Sequence, residues 1–231
     1  MRSSSFIRGL DEILYGGFIQ PSTILMAGSA GSGKTNICLQ SLFEAAKQGE
    51  NCVYISLLSE SRTKIIRSLS SFSFFTEDIL DSGKLRICPI SADTISKGDF
   101  SIFEYINEYV LDTSPSRVVI DPITILAEID STFEERQFRG CELRTFVQNL
   151  FYEFEERNVL LMLTGEIPEG DVSSSTWSYM VDTIFELKRK KEGKNIHRYL
   201  EIAKTRGSDF IAGEHPFRID SHGISLIRNC R

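Results

Sequence analysis

Eight consecutive residues, Gly28-Ser29-Ala30-Gly31-Ser32-Gly33-Lys34-Thr35, leave this chain few folds to choose from. They fit G-x-x-x-x-G-K-[ST], a loop whose backbone N–H groups cradle the phosphates of a nucleoside triphosphate. Its glycines permit backbone conformations that a Cβ forbids, so the loop can turn its N–H groups inward as an anion nest. Such a loop needs a strand before it and a helix after it, because the helix adds its N-terminal dipole at the same spot. Both flanks are legible. Ser22-Thr23-Ile24-Leu25-Met26-Ala27 reads as a buried strand, and residues 36–48 read as a helix. Ile37, Leu39, Leu42, Phe43 and Ala46 form the apolar face of that helix, and Gly49 ends it. Lys34 is then expected to reach the β- and γ-phosphates, and the Thr35 hydroxyl to hold Mg²⁺.

The same alternation continues. Cys52-Val53-Tyr54-Ile55-Ser56-Leu57 reads as a strand, and Ile65, Ile66 and Leu69 mark a helix. Leu85-Arg86-Ile87-Cys88 is a short strand, residues 103–111 are helical, and Arg117-Val118-Val119-Ile120 is a strand stopped by Asp121-Pro122. A long amphipathic helix over 134–156 precedes the strand Val159-Leu160-Leu161-Met162-Leu163-Thr164. Strands alternating with helices predict an α/β fold, a mostly parallel sheet flanked by helices. Beyond Asp182 the texture changes. Thr183-Ile184-Phe185-Glu186-Leu187 and Tyr199-Leu200-Glu201-Ile202-Ala203 flank the polar turn Lys191-Glu192-Gly193-Lys194-Asn195, a hairpin signal. Short strands around Phe217-Arg218-Ile219 and Ile224-Ser225-Leu226 close the chain, and Ser173-Ser174-Ser175 reads as a mobile loop. A length of 231 residues suits one domain spanning 1–231.

A phosphate loop alone does not position a metal or water. Asp121 supplies the acid expected at the end of a second core strand, where open α/β sheets bind ligands; it is assigned to Mg²⁺, mostly through water. The alternative for Asp121 is a turn residue before Pro122. Glu60, just beyond the second strand, is the candidate for orienting or deprotonating water, and its alternative is a helix-start acid favoured by the dipole. Thr124 is a candidate phosphate sensor. Lys204 and Arg206 flank Thr205, so alternation puts both cations on one face, suited to a transferring phosphoryl group or to a solvated basic edge.

The net charge of −6, from 26 basic and 32 acidic residues, gives no overall footprint for nucleic acid. No apolar stretch approaches the length of a membrane span, and Met1-Arg2-Ser3-Ser4-Ser5-Phe6 lacks a signal-peptide core. The five cysteines, Cys38, Cys52, Cys88, Cys141 and Cys230, are dispersed without a C-x-x-C. Buried thiols in a reducing cytoplasm are the preferred reading.

A longer set of residues resembles a known family. Gly9-Leu10-Asp11-Glu12-Ile13-Leu14-Tyr15-Gly16-Gly17-Phe18 precedes the loop, and Thr164-Gly165-Glu166 follows the late strand. Lys204-Thr205-Arg206-Gly207-Ser208 and Gly213-Glu214-His215-Pro216-Phe217 come near the end. Together they resemble the KaiC-like branch of the RecA superfamily of ATPases. The resemblance implies a RecA-type P-loop core with C-terminal antiparallel hairpin strands, and ATP bound between the subunits of a homo-oligomeric ring, usually a hexamer. By position, Gly31, Ser32, Gly33, Lys34, Thr35 and Asn36 bind phosphates, and Ser71 contacts nucleotide. Lys204, Thr205, Arg206 and Ser208 reach the ATP of the neighbouring protomer. The resemblance breaks at one place. The family has two adjacent glutamates, the first a general base, where this chain reads Leu57-Leu58-Ser59-Glu60-Ser61. The register anchored by Ile65 and Ile66 matches Ser59 to the first glutamate and Glu60 to the second; one extra residue after the strand allows Glu60 to shift into the role. A family autophosphorylation site maps to Ser178 and Tyr179, and with its threonine absent that activity is not expected.

Three functions follow as expectations: an ATP-binding ring protein with slow Mg²⁺-dependent hydrolysis, a nucleotide-dependent assembly switch or scaffold with little turnover, and a recombinase-like DNA-binding ATPase. The last rests on the basic cluster Lys188-Arg189-Lys190-Lys191 with Lys194 and Arg198, near the aromatics Trp177 and Tyr179.

Overall fold

The residues before the phosphate loop form elements that no hydrophobic period announces. A two-stranded ribbon pairs β1 (Arg2–Ser3) with β2 (Phe18–Ile19), and α1 (Leu10–Ile13) lies between them in sequence. In this computed structural model the residues described are 1–57, 61–90, 105, 106, 110, 113–127 and 140–227. The chain continues through β3 (Ser22–Gly28), α2 (Lys34–Lys47), β4 (Cys52–Ser56), α3 (Arg62–Leu69), α4 (Glu77–Asp81), β5 (Leu85–Pro89) and β6 (Arg117–Asp121). It ends with α5 (Gly140–Glu156), β7 (Leu160–Glu166), α6 (Thr176–Met180), β8 (Thr183–Glu192), β9 (Asn195–Thr205), β10 (Glu214–Asp220) and β11 (Gly223–Leu226).

Nine strands make one sheet in the order β11-β10-β9-β8-β3-β7-β6-β4-β5. The pairs from β8 through β5 are parallel, and β9, β10 and β11 add on antiparallel. The expected α/β sheet with a C-terminal antiparallel extension is therefore observed. β3, β4 and β6 are buried at every position, as strands covered on both faces must be. Alternation sorts their side chains into two cores. Ile24, Met26, Val119 and Met162 pack on the face that α2 covers, with Ile37, Leu42 and Phe43. Leu25, Ala27, Ile120 and Leu163 pack on the opposite face against Phe146, Val147, Leu150 and Phe154 of α5.

Several boundaries move. The hairpin strands are longer than their apolar cores, because β8 and β9 stay paired from Thr183↔Thr205 out to Glu192↔Asn195. The serine run is a hydrogen-bonded turn that leads into α6: Ser174 Oγ donates to Asp171 O at 3.0 Å and Ser175 Oγ to Val172 O at 2.8 Å. Of the expected helix over 103–111, only residues 105, 106 and 110 are described, and residues 134–139 of the long helix also lie outside the described set. Cys38 and Cys52 are buried free thiols, and burial pushes Cys52 up to about 12; Cys141 and Cys230 fall outside the described side chains. Among the described residues no helix is long and apolar enough to cross a membrane.

The end of the sheet opposite the phosphate loop is closed by a buried cation. Arg117, fully buried at the start of β6, donates through Nε to Glu50 Oε2 at 2.8 Å and through Nη2 to Glu50 Oε1 at 3.1 Å. It also donates to Ser3 Oγ and Ser41 Oγ, and its guanidinium lies 4.9 Å from the Phe6 ring centroid. The N-terminal ribbon, α2 and β6 are thus tied to one side chain. Burial alone would raise the Glu50 carboxyl, but hydrogen bonds from Arg117 and Ser116, with the guanidinium charge, outweigh it and hold Glu50 below the usual carboxylate range. Glu50→Ala strands the buried cation and is expected to lower unfolding stability at neutral pH by about 3 kcal/mol, the lower end for a broken buried pair because Glu50 is partly solvated. A group with a depressed folded value stabilises above its unfolded pKa, about 4.3, and loses that contribution as pH falls through the folded value. Urea titrations of wild type and variant should therefore converge as pH drops below about 4.

Candidate nucleotide site

Two glycines of the loop are fixed by close packing. Gly28 ends β3 at φ 147°, and a Cβ there would lie 2.4 Å from the Leu187 carbonyl oxygen. Gly33 caps α2 at φ 113° with no side-chain hydrogen bond, and a Cβ there would meet Ile219 Cδ1 at 2.9 Å. The antiparallel extension therefore leans directly on the loop. Gln40 of α2 fastens it there, accepting from Ile224 N at 2.6 Å and donating to Ile224 O at 3.2 Å. With no side chain capping α2, its first N–H groups are left for a ligand. Ser32 is fully buried and its Oγ has no hydrogen-bond partner. An orphaned buried hydroxyl inside an N–H nest fits an incoming phosphate oxygen.

Strand order sets the rest. β7 lies between β3 and β6, so the ends of three parallel strands converge beside the loop. Thr35 Oγ1 donates to Asp121 Oδ2 at 2.7 Å. The buried Tyr54 hydroxyl donates to the same oxygen at 2.7 Å, and Thr164 Oγ1 donates to Asp121 Oδ1. Asp121 is thus a carboxylate aimed by three hydroxyls rather than a turn residue. Among the described residues no group of three or more His, Cys, Asp or Glu is arranged to hold a metal ion. A hydroxyl and one carboxylate suit Mg²⁺, which keeps waters and takes its other ligands from phosphate.

Lys34 is 5% exposed, and its ammonium donates to Gly28 O at 2.8 Å and Ser29 O at 3.0 Å. Its remaining partner is Glu166 Oε1, at 2.8 Å. Glu166 ends β7, and its N–H donates to Thr124 Oγ1 at 3.2 Å. Thr124 therefore holds the Glu166 backbone rather than meeting the loop itself. Glu166 was visible in the sequence only as part of a family-like motif, although it satisfies the rule that finds Asp121, an acid ending a buried strand. A cavity of about 500 Å³ opens over Gly31, Gly33, Lys34, Thr35 and Asn36, with Glu166, Arg198 and Ile219 on its other walls.

The other candidate residues are dispersed. Lys204 Nζ donates to Ser178 O at 2.7 Å and Val181 O at 2.6 Å, and Arg206 Nη2 donates to Tyr179 O at 3.1 Å. Lys204 is the penultimate residue of β9 and Arg206 lies just past its end, and both grip the end of α6. Burial, then the Arg206 charge, lowers the Lys204 ammonium from its ordinary value. Thr205 pairs with Thr183 through their hydroxyls, and Ser208 Oγ accepts from Arg2 and donates to Asp209 O. Ser71 is exposed in the turn after α3, which Ser73 N ties to Ser221 O at 2.7 Å. Ser59 and Glu60 lie outside the described residues. Three residues of the basic hairpin, Lys188, Arg189 and Lys190, are engaged within the chain. Lys188 faces Glu186, Glu201 and Glu214, Lys190 pairs with Glu214, and Arg189 donates to Ala30 O of the loop at 3.1 Å. The hydrogen bond to Glu201 is foremost in raising the Lys188 ammonium above its ordinary value.

A phosphate loop and an acid-ending strand at the carboxyl edge of a mostly parallel sheet, extended by antiparallel strands, define an ATPase domain of the RecA type. The comparison with known families narrows this: the model described as "ATPase: KaiC" matches residues 3–230, and the chain belongs to that family. It is 28% identical over 231 residues to the circadian clock oscillator protein KaiC of Nostoc sp., covering 96% of this chain and 43% of that protein. It is likewise 28% identical over 229 residues to the circadian clock protein KaiC2 of Synechocystis sp., covering 96% of this chain and 39% of that protein. The chain thus spans about two fifths of the length of these curated relatives.

Proposed function

We propose that residues 1–231 act as one RecA-type domain that binds Mg-ATP at the phosphate loop and hydrolyses it slowly at an interface between copies in a ring, usually a hexamer in this family. The observation that carries the binding is the convergence of Lys34, Thr35 and Asp121 beside the orphaned Ser32 hydroxyl. Mg²⁺, held by Thr35 and Asp121, would supply charge neutralisation across the phosphate oxygens. Lys34 holds the terminal phosphates, and the loop N–H groups with Asn36 fix their position. The interface is supported by Lys204 and Arg206, which grip α6 and not the loop of their own copy. A phosphate that meets them comes from a neighbour, with Thr205 and Ser208 beside it, and the two cations stabilise charge developing on the transferred group. Ser71 is assigned to the nucleotide, and Thr124, whose hydroxyl accepts from Glu166 N, to sensing phosphate through that hydroxyl. Slow turnover follows from Ser59 at the position of the family's base, with Glu60 as the residue that takes the role. The reading sets the chain in the cytoplasm, consistent with its buried free thiols Cys38 and Cys52.

Size-exclusion chromatography with light scattering, with and without Mg-ATP, run beside a phosphate-release assay, tests this. A nucleotide-dependent ring with turnover below about 1 s⁻¹ is expected. Absence of Mg-ATP binding by calorimetry would overturn the binding site, and a monomer under both conditions would overturn the interface. The scaffold reading is favoured by one contact set: the cations that complete the neighbour's site also hold α6, so nucleotide at the interface rearranges α6 even without cleavage. Turnover well above 1 s⁻¹ counts against it.

A further inference from the structure

An ammonium has three N–H donors, and all three of Lys34 are used inside its own chain, on Gly28 O, Ser29 O and Glu166 Oε1. A phosphate oxygen that takes a hydrogen bond from Lys34 must displace one of them. The two carbonyls belong to the loop itself, and Gly28 is fixed against Leu187. The Glu166 carboxylate ends a flexible side chain that is 45% exposed. It is the partner that can leave, and as an anion beside an anion site it is also the partner that phosphate repels. We propose that Glu166 is a built-in competing anion of the phosphate loop: it occupies Lys34 in the empty site and must be displaced by the β- or γ-phosphate, so it weakens the binding of those nucleotides whose phosphates reach Lys34. The proposal rests on the phosphate-loop reading and adds to it a residue that opposes binding.

Two further observations bear on it. The Glu166 backbone is anchored through its N–H on Thr124 and through pairing in β7, so displacement is a side-chain motion about a fixed strand end. The cavity of about 400 Å³ behind it, lined by Thr124, Val147, Ile167, Pro168, Trp177 and Met180 among others, also counts Glu166 in its wall. Trp177 is the chain's single tryptophan, so the motion takes place beside an intrinsic fluorophore.

The test is isothermal calorimetry of the full chain and of Glu166→Gln with Mg-ATP, Mg-ADP and AMP. Gln keeps the shape and removes the charge. Loss of a partly solvated charge competitor is expected to tighten ATP and ADP about five- to tenfold, while AMP, which does not extend to Lys34, changes less than about twofold. Glu166→Ala should tighten the same two ligands, which separates charge removal from a new contact made by the Gln amide. In wild type, ATP should change Trp177 emission, and Glu166→Gln without nucleotide should already show part of that change. Equal or weaker ATP binding by both variants overturns the proposal and leaves the phosphate loop standing as a binding site. Failure of wild type and both variants to bind any nucleotide overturns the phosphate-loop reading and this inference with it.

Discussion

Lys34→Ala is expected to remove ATP turnover almost completely, by two to three orders of magnitude or more, with nucleotide affinity falling by roughly tenfold to a hundredfold. Hydrogen bonds to a charged group contribute about 1.5–3 kcal/mol each, and removal of one preorganised donor to developing charge costs about 10²–10³ in rate. Lys34 is nearly buried, so its phosphate contacts are made out of bulk water, where they are strongest. The fold should survive, because the Glu166 carboxylate it abandons is partly exposed and can be solvated. Radiolabelled ATP turnover with a thermal melt of the same preparation checks both halves. Wild-type turnover in a folded variant would remove Lys34 from the chemistry.

The double substitution Lys204→Ala with Arg206→Ala is expected to lower turnover by about 10³-fold, in the range seen for cations supplied to a phosphoryl group across an interface, while changing ATP affinity of the isolated chain by less than about fivefold. Mixing distinguishes the neighbour's site from the chain's own. If the cations act across an interface, a one-to-one mixture of this variant with Lys34→Ala re-forms intact sites at roughly a quarter of the contacts of a closed ring. Turnover should then recover in a mixture of two inactive proteins. No recovery, in rings shown by light scattering to contain both proteins, would place the cations at their own loop or outside the chemistry. Because Lys204 also holds the Ser178 and Val181 carbonyls, Trp177 emission of the variant is the check that α6 remains folded.

The parallel sheet was legible because its central strands β3, β4 and β6 are short apolar runs buried at every position, and burial on both faces leaves a continuous signal. The phosphate loop was legible because glycine is needed wherever φ is positive and a neighbour leaves no room for a Cβ, as at Gly28 and Gly33. Asp121 was legible as an acid ending a buried strand. Glu166 satisfies the same rule and was passed over as a site residue, because its importance depends on β7 lying between β3 and β6. β1, β2, α1 and α6 are too short to show a period. The far ends of β8 and β9 are polar and solvent-facing, so their pairing leaves no hydrophobic trace. The basic cluster read in the sequence as a run of positive charge, yet Glu186, Glu201 and Glu214 meet it only once β8, β9 and β10 stand side by side.

By itself, the amino-acid sequence determined what is local: a loop that must be glycine-rich, the strand and helix that flank it, and the hydroxyl of Thr35 and ammonium of Lys34 held within one turn of each other. Only the tertiary structure decided what faces that loop. It brought the Tyr54 and Thr164 hydroxyls onto Asp121, set the Glu166 carboxylate on Lys34, and turned Lys204 and Arg206 toward α6. The physical reason is range. Backbone conformation and periodicity are fixed over a few residues, whereas a charge 132 positions away, as Glu166 is from Lys34 (166 − 34), acts only after strand order has brought it within hydrogen-bonding distance.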